Sequence, residues 1–138
     1  MTKSLSRSDD PQVSTIQVEY TSVLTRASEV MPGVEFTIVK LSFARRMELA
    51  RRVLELSRQM EFRAAGEGVE DAIEANLLSC EIDRLYLRWG LAEISGLVID
   101  GLDATAELLA ERGPEELADE IVAAVKAQCG LTESERKN

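Results

Sequence analysis

The sequence predicts a mainly α, α+β fold: a single domain with two long antiparallel helices, a small N-terminal β element, a short hairpin and C-terminal helices. Three observations support this prediction. Two long stretches repeat their apolar residues at helical spacing, a segment before them alternates apolar and polar residues as a strand does, and glycines and prolines separate the segments. A chain of 138 residues has the usual length of one domain.

The two ends of the chain differ from its middle. Residues 1–12 are polar and lack periodicity, so we expect a flexible N-terminal arm there. Residues 131–138 are also polar and predict a C-terminal tail. The single helix-rich domain is therefore expected to occupy residues 13–130.

The β element precedes the long helices. Between Val13 and Val30, many β-branched residues favour extended structure, although their alternation is imperfect. A turn is expected at Met31-Pro32-Gly33. Regular alternation after this turn predicts a strand over residues 34–40.

The first long helix is predicted over residues 43–64, with Ser42 as its N-cap. At 100° per residue its apolar side chains form two stripes. One contains Leu49, Val53, Leu56 and Met60, and the other contains Phe43, Met47, Ala50 and Leu54. The segment Ala64-Ala65-Gly66-Glu67-Gly68 ends the helix.

The second long helix, predicted over residues 69–89, also has two apolar stripes: Leu78, Ile82, Leu85 and Trp89, then Ile73, Leu77, Cys80 and Leu87. A helix that is apolar on two sides must be covered on two sides. We expect one side to face the protein's own core, and the other to face the small sheet or a neighbouring subunit.

Shorter elements follow the second helix. Leu91 to Gly101 is predicted to be a small β hairpin, with a bend at Gly96 and a turn at Asp100-Gly101. Asp103 or Thr105 is expected to cap a short helix over residues 104–112. Pro114 then opens a last helix over residues 114–128.

Composition excludes several kinds of chemistry. The chain has no histidine, so a Ser-His-Asp or Cys-His relay and a histidine-bound metal are excluded. Cys80 and Cys129 are widely separated and predict buried, reduced thiols. Acidic residues near the start of the second helix (Glu67, Glu70, Asp71 and Glu74) suit the helix dipole and do not by themselves indicate a metal site. We therefore expect no enzymatic activity and no cofactor.

Charge and hydropathy also limit the partners. A net charge of -9 disfavours binding to nucleic acid, and no apolar run is long enough to span a membrane. The N-terminus lacks the apolar core of a signal peptide, so a cytoplasmic location is expected. The positive charges crowd between Lys40 and Arg63, where Arg45, Arg52 and Arg63 share one stripe, and this basic face favours a protein partner.

Tyr86 and Trp89 lie at the end of the second helix and are able to anchor an interface. Packing of Trp89 in the core is the simpler interpretation. Both interpretations stay open at this point.

Five segments together resemble the tail assembly chaperones of tailed phages and prophages. They are Lys40-Leu41-Ser42-Phe43-Ala44-Arg45-Arg46, the run from Glu81 to Leu91, Gly96-Leu97-Val98-Ile99-Asp100-Gly101, Gly113-Pro114-Glu115-Glu116-Leu117, and the ending Leu131 to Asn138. The similarity covers about residues 34–138. It is a likeness of pattern, since this family has no catalytic signature.

The resemblance implies a non-enzymatic, mostly helical protein in the cytoplasm of the host bacterium, which binds the tape measure protein and promotes assembly of tail tube protein. Such a chaperone needs apolar grooves with adjustable contacts, and a homo-oligomer would hide them. The partner-binding residues predicted on this basis are Arg45, Met47, Leu49, Arg52, Leu56, Met60, Arg63, Tyr86 and Trp89.

Two other hypotheses remain at this stage. One is a small phage structural protein, such as a head–tail connector or neck component. The other is a regulator that binds through the Lys40–Arg63 basic face and loses binding steeply as salt rises.

Overall fold

The structure is a computed structural model that describes residues 16–130. It has the predicted α+β fold, with two long antiparallel helices. In chain order the elements of this range are β1 (Val23–Ala27), β2 (Glu35–Val39), α1 (Phe43–Ala64), α2 (Val69–Gly90), β3 (Leu91–Ser95), β4 (Val98–Ile99), β5 (Leu102–Asp103), α3 (Ala106–Arg112) and α4 (Glu115–Gln128). The predicted arm at 1–12 and tail at 131–138 lie outside the described residues.

Three strands form an antiparallel sheet in the order β1-β2-β3. The alternation of β2 places Phe36 and Ile38 on the core face, where they are 2% and 0% exposed. On the opposite face, the hydroxyl groups of Thr25 and Thr37 form a hydrogen bond of 2.8 Å across β1 and β2. The sheet therefore has one buried face and one face open to solvent.

The helical hairpin of α1 and α2 is inserted between two neighbouring strands. β2 leads into α1, α2 leads into β3, and Ile38 of β2 pairs with Leu91 of β3. The Ser42 side chain accepts a hydrogen bond from the Arg45 N–H at 3.3 Å, as the predicted N-cap requires. The bounds of α1 are those predicted, and α2 extends one residue further, to Gly90.

The sequence prediction for the β segments needs two corrections. Of the stretch between Val13 and Val30, only Val23–Ala27 within the described part is a strand, because only this part pairs with β2. Leu91 to Gly101 is not one hairpin, since Leu91–Ser95 joins the main sheet beside β2. The predicted turn is correct: Asp100 and Gly101 both have positive φ (51° and 81°) and join β4 to β5.

The C-terminal helices close the core. The Thr105 hydroxyl caps α3 by accepting from the Leu108 N–H at 3.1 Å, and Pro114 occupies the N-cap of α4. One side of α4 is completely buried, with Leu117, Ile121 and Val125 all 0% exposed. These side chains belong to a single cluster with the core face of the sheet and the second half of α2.

A hydrogen-bonded contact joins the turn between β1 and β2 to α4. The Glu120 carboxylate of α4 accepts from the Ser28 hydroxyl and from the Glu29 N–H, both at 2.7 Å. The Ser28 hydroxyl oxygen also accepts from the Met31 N–H at 3.0 Å. Hydrogen bonds to a charged group are stronger than neutral ones, so this contact fixes the β1–β2 turn against α4.

Candidate protein-binding groove on the helical hairpin

The helical hairpin is buried only near its base. In α1 the only buried residue is Leu49, and in α2 burial begins at Ile82. Residues 61–70 around the connecting loop are all exposed. The half of the hairpin nearest this loop, which we call the tip half, therefore extends beyond the core.

A groove of about 710 Å³ runs along one side of the hairpin, where α1, α2 and α4 meet. Its apolar surface comes from all three helices: Ala50, Val53, Leu54 and Met60 of α1, Ile82 and Tyr86 of α2, and Ala123 and Ala127 of α4. Small residues on α4 keep the groove open, because an alanine leaves room between helices that a longer side chain would fill. We call this surface the hairpin groove.

Polar groups lie at defined points of the hairpin groove. Ser57 and Glu61 line it from α1, and Ser79 and Asp83 line it from α2. Lys126 of α4 lies 3.9 Å from the Asp83 carboxylate and 5.2 Å from the centre of the Tyr86 ring. The groove therefore combines an apolar floor with one charged pair, the composition typical of a surface that binds another molecule.

The Asp83 carboxyl is perturbed by its position in the groove. Burial raises its pKa above the usual 3.8, the Lys126 ammonium partly opposes this effect, and the Asp119 carboxylate adds to it. A raised pKa means that the ionised form is held less favourably in the folded protein than in the unfolded chain.

We expect Asp83→Asn to stabilise the folded protein at pH 7. The stability that Asp83 contributes is present below the unfolded pKa, near 3.8, and is lost as the pH rises through the higher folded pKa. Asp83→Asn removes the charge and therefore this loss of stability, whereas the half-exposed ion pair with Lys126 contributes little to the stability of the folded protein. Thermal unfolding at pH 3 to 7 tests this: the gain in Tm should shrink as the pH falls, and a gain of the same size at every pH would contradict the prediction.

The structure places only two of the predicted partner-binding residues, Met60 and Tyr86, in the groove. Leu49 is buried and Leu56 packs against the core cluster, so both have structural roles. Met47 is 44% exposed but lies outside the groove lining. The predicted set is thus not one continuous site.

The remaining predicted residues lie elsewhere on the hairpin. The guanidinium groups of Arg45 and Arg52 lie 4.0 Å and 5.4 Å from the centre of the Trp89 ring. Arg63 instead forms an ion pair with Asp71 at 3.2 Å across the tip half. Trp89 is half-buried and packs against the core cluster, which agrees with the simpler interpretation of this residue.

The basic face of α1 is interrupted by acids. Glu48 forms ion pairs with Arg51 at 3.0 Å and with Arg52 at 3.4 Å. Cation–π contacts with Trp89 occupy Arg45 and, in addition to its ion pair, Arg52. The arginines between Lys40 and Arg63 therefore do not form a single basic surface.

The contribution of α4 to the groove was not predicted from the sequence. The sequence placed this helix by Pro114 at its start, and Ala123, Lys126 and Ala127, which line the groove, lie away from its buried residues Leu117, Ile121 and Val125. The available signal was the cluster of small residues on the other side of the same helix. Sequence periodicity alone does not indicate which element such a cluster faces.

The two thiols also differ from one another. Cys129 is buried, as predicted, whereas Cys80 is exposed, contrary to the prediction, because the tip half has no cover on that side. Burial raises the pKa of the Cys129 thiol, and the nearby Arg46 guanidinium partly opposes this.

Within residues 16–130, no group of three or more thiol and carboxylate side chains is placed to hold a metal ion. No helix in the same range is long and apolar enough to cross a bilayer. Comparisons with protein-family models, curated proteins and solved structures give no match for this chain.

Proposed function

We propose that this protein is a non-catalytic binding protein that takes up a helical segment of a partner protein in the hairpin groove. The observation that carries this proposal is the groove itself, whose apolar floor is open to solvent between α1, α2 and α4. An amphipathic helix that lies in an apolar groove is a common mode of recognition between proteins.

The dimensions of the groove fit such a partner. Its lining on α1 runs from Ala50 to Glu61, which is about 16 Å of helix at 1.5 Å per residue. A partner helix of about three turns covers this length and presents two or three apolar side chains to the floor. A basic or acidic side chain at one edge of the partner helix meets Asp83 or Lys126.

We further propose, from the resemblance of residues 34–138, that the partner is the tape measure protein of a tailed phage and that the bound complex promotes tail tube assembly. A tape measure protein is long and helical in this family, so it offers segments of the required chemistry. In this role the protein acts as a tail assembly chaperone.

The experiment is a binding titration between the full chain and helical segments of the tape measure protein from the same genome, followed by calorimetry. We expect Ala123→Arg to weaken binding at least tenfold, because the exposed rim position points a long side chain over the groove. A defined complex that loses affinity in this variant supports the proposal.

The matched control is Ala110→Arg, at an exposed alanine of α3 outside the hairpin groove. It should bind as the wild type does. If no segment of the tape measure protein binds, the chaperone role is wrong. If a segment binds equally well to Ala123→Arg, the hairpin groove is not its site.

A further inference from the structure

A second unpartnered surface of the hairpin lies on its two outer edges, and it shares Leu54 with the groove. In the tip half, large apolar side chains are exposed on both helices: Leu54 (50%) and Phe62 (76%) on α1, and Val69 (78%), Ile73 (55%) and Leu77 (57%) on α2. Ordinary surfaces carry apolar residues singly, whereas these recur at helical spacing.

These residues point away from the hairpin in opposite directions. On α1, the row Leu54-Arg58-Phe62 lies about 170° around the helix axis from the side that packs on the core. On α2, the row Val69-Ile73-Leu77 lies about 180° around the helix axis from the side that contains the buried Ile82. We call these rows, with their flanking charges, the α1 edge and the α2 edge.

The two edges differ in the sign of their net charge, although acids interrupt the arginines of α1. From Val69 to Glu81 the α2 helix carries four acids and no basic residue, whereas from Arg51 to Arg63 the α1 helix carries four arginines and two glutamates. Among the described residues, Arg58, Glu74 and Glu81 take part in no ion pair. These charged groups therefore remain available to a neighbour.

We infer that the α1 edge of one copy of this chain binds the α2 edge of a second copy. An α2 edge against an α2 edge would place acids beside acids, and two α1 edges would bring together segments in which arginines outnumber glutamates four to two. The mixed pairing joins both apolar rows and sets the net positive segment of α1 against the net negative segment of α2. The partner is thus a second copy of the same chain.

One register satisfies both the apolar and the charged contacts. In an antiparallel arrangement that sets Leu54 beside Leu77 of the second copy, Arg58 lies beside Glu74. Arg51, which pairs with Glu48 at 3.0 Å in its own chain, lies beside Glu81. Within one copy α1 and α2 are already antiparallel, with Arg63 against Asp71. Helices α1 and α2 therefore continue to alternate across the contact between the copies. The hairpins of the two copies point in the same direction.

The contact is confined to the tip half. Beyond Glu81, the outer side of α2 is covered by α3, since Arg84 forms ion pairs with Glu107 and Glu111. A short interface of this kind is weak and depends on concentration and salt. A pair of copies also keeps one free edge of each kind, an α2 edge on one copy and an α1 edge on the other, so association is open-ended or closes into a ring.

The experiment blocks one edge at a time with residues that do not line the hairpin groove. Phe62→Asp blocks the α1 edge and Ile73→Asp blocks the α2 edge. We expect each variant alone to be monomeric by sedimentation velocity, because each lacks one half of the contact. Mixed in equal amounts, they should form a 1:1 dimer and nothing larger.

A charge exchange tests the register. Arg58→Glu and Glu74→Arg should each weaken self-association at least tenfold, and the chain that carries both substitutions should recover it. The control Val98→Asp removes an exposed apolar residue from β4 and should associate like the wild type. Thermal unfolding by circular dichroism verifies that every variant is folded.

Three results would overturn the inference: a wild-type chain that stays monomeric up to its solubility limit, a mixture of the two blocked variants that stays monomeric, or a blocked variant that associates by itself. If Phe62→Asp instead abolishes binding of a tape measure segment, that edge belongs to the partner protein. Failure here leaves the groove proposal standing, because Ala123 lies on neither edge.

Discussion

Replacing Leu49 with alanine is expected to lower the free energy of unfolding by about 2–5 kcal/mol. Leu49 is the only buried residue of α1 and is 1% exposed, so its side chain is the main attachment of this helix to the core. Truncation removes apolar contact and leaves a cavity that the surrounding side chains fill only partly. Denaturation in urea measures the effect.

Leu54→Ala is the matched control, since it makes the same chemical change on the same helix at a position that is 50% exposed. We expect a loss of less than about 1 kcal/mol for this variant. Equal losses at Leu49 and Leu54 would contradict the burial described for α1. The pair of variants thus separates the role of the base of the hairpin from that of its tip half.

Gly90→Ala is expected to destabilise the protein by about 1–3 kcal/mol. Gly90 is the last residue of α2, where the backbone approaches α4 so closely that an added Cβ would overlap both methyl groups of Val125. Val125 is 0% exposed and has little room to move. The cost of overpacking should exceed the small gain that alanine normally gives in a helix.

A double-mutant cycle identifies the cause of this loss. Val125→Ala alone should destabilise by creating a cavity, yet in the Gly90→Ala background it should cost less, since it removes the atoms that the new Cβ meets. The two changes should therefore be non-additive in urea denaturation. Strict additivity would show that the closeness of α2 and α4 at this point does not set the cost.

The local elements could be predicted from the sequence because their signals are local. Ser42 caps α1, Thr105 caps α3, and Asp100-Gly101 has the residues that a tight turn requires. In each case the residue itself satisfies a backbone hydrogen bond or adopts the required φ. No knowledge of distant contacts is needed.

Long-range contacts could not be predicted in the same way. Leu91–Ser95 shows a strand pattern, but the pattern does not reveal that its neighbour is β2 and not the segment that follows. Cys80 lies on an apolar stripe and was predicted to be buried, although the tip half leaves that stripe uncovered. An apolar stripe predicts which side of a helix is more stable when another element packs on it. It does not predict whether that element belongs to the same chain.

The same reason explains why the predicted partner-binding residues do not lie together. Met60 was chosen from a helical stripe and Tyr86 from its place at the end of the second helix, and both line the groove, whereas Leu49 belongs to the stripe of Met60 and is buried. The alanines of α4 carry no strong signal of their own. They contribute to the groove only through the packing of α4 against α2, a contact between residues far apart in the chain.

The insertion of the hairpin between β2 and β3 has a consequence for how this architecture can vary among proteins. Because Ile38 and Leu91 are paired neighbours in the sheet, the hairpin begins and ends at nearly one point of the core. Equal numbers of turns added to or removed from both helices near the loop would therefore leave that attachment unchanged. The hairpin acts as a spacer, and evolution can change its length without changing the core to which it is attached.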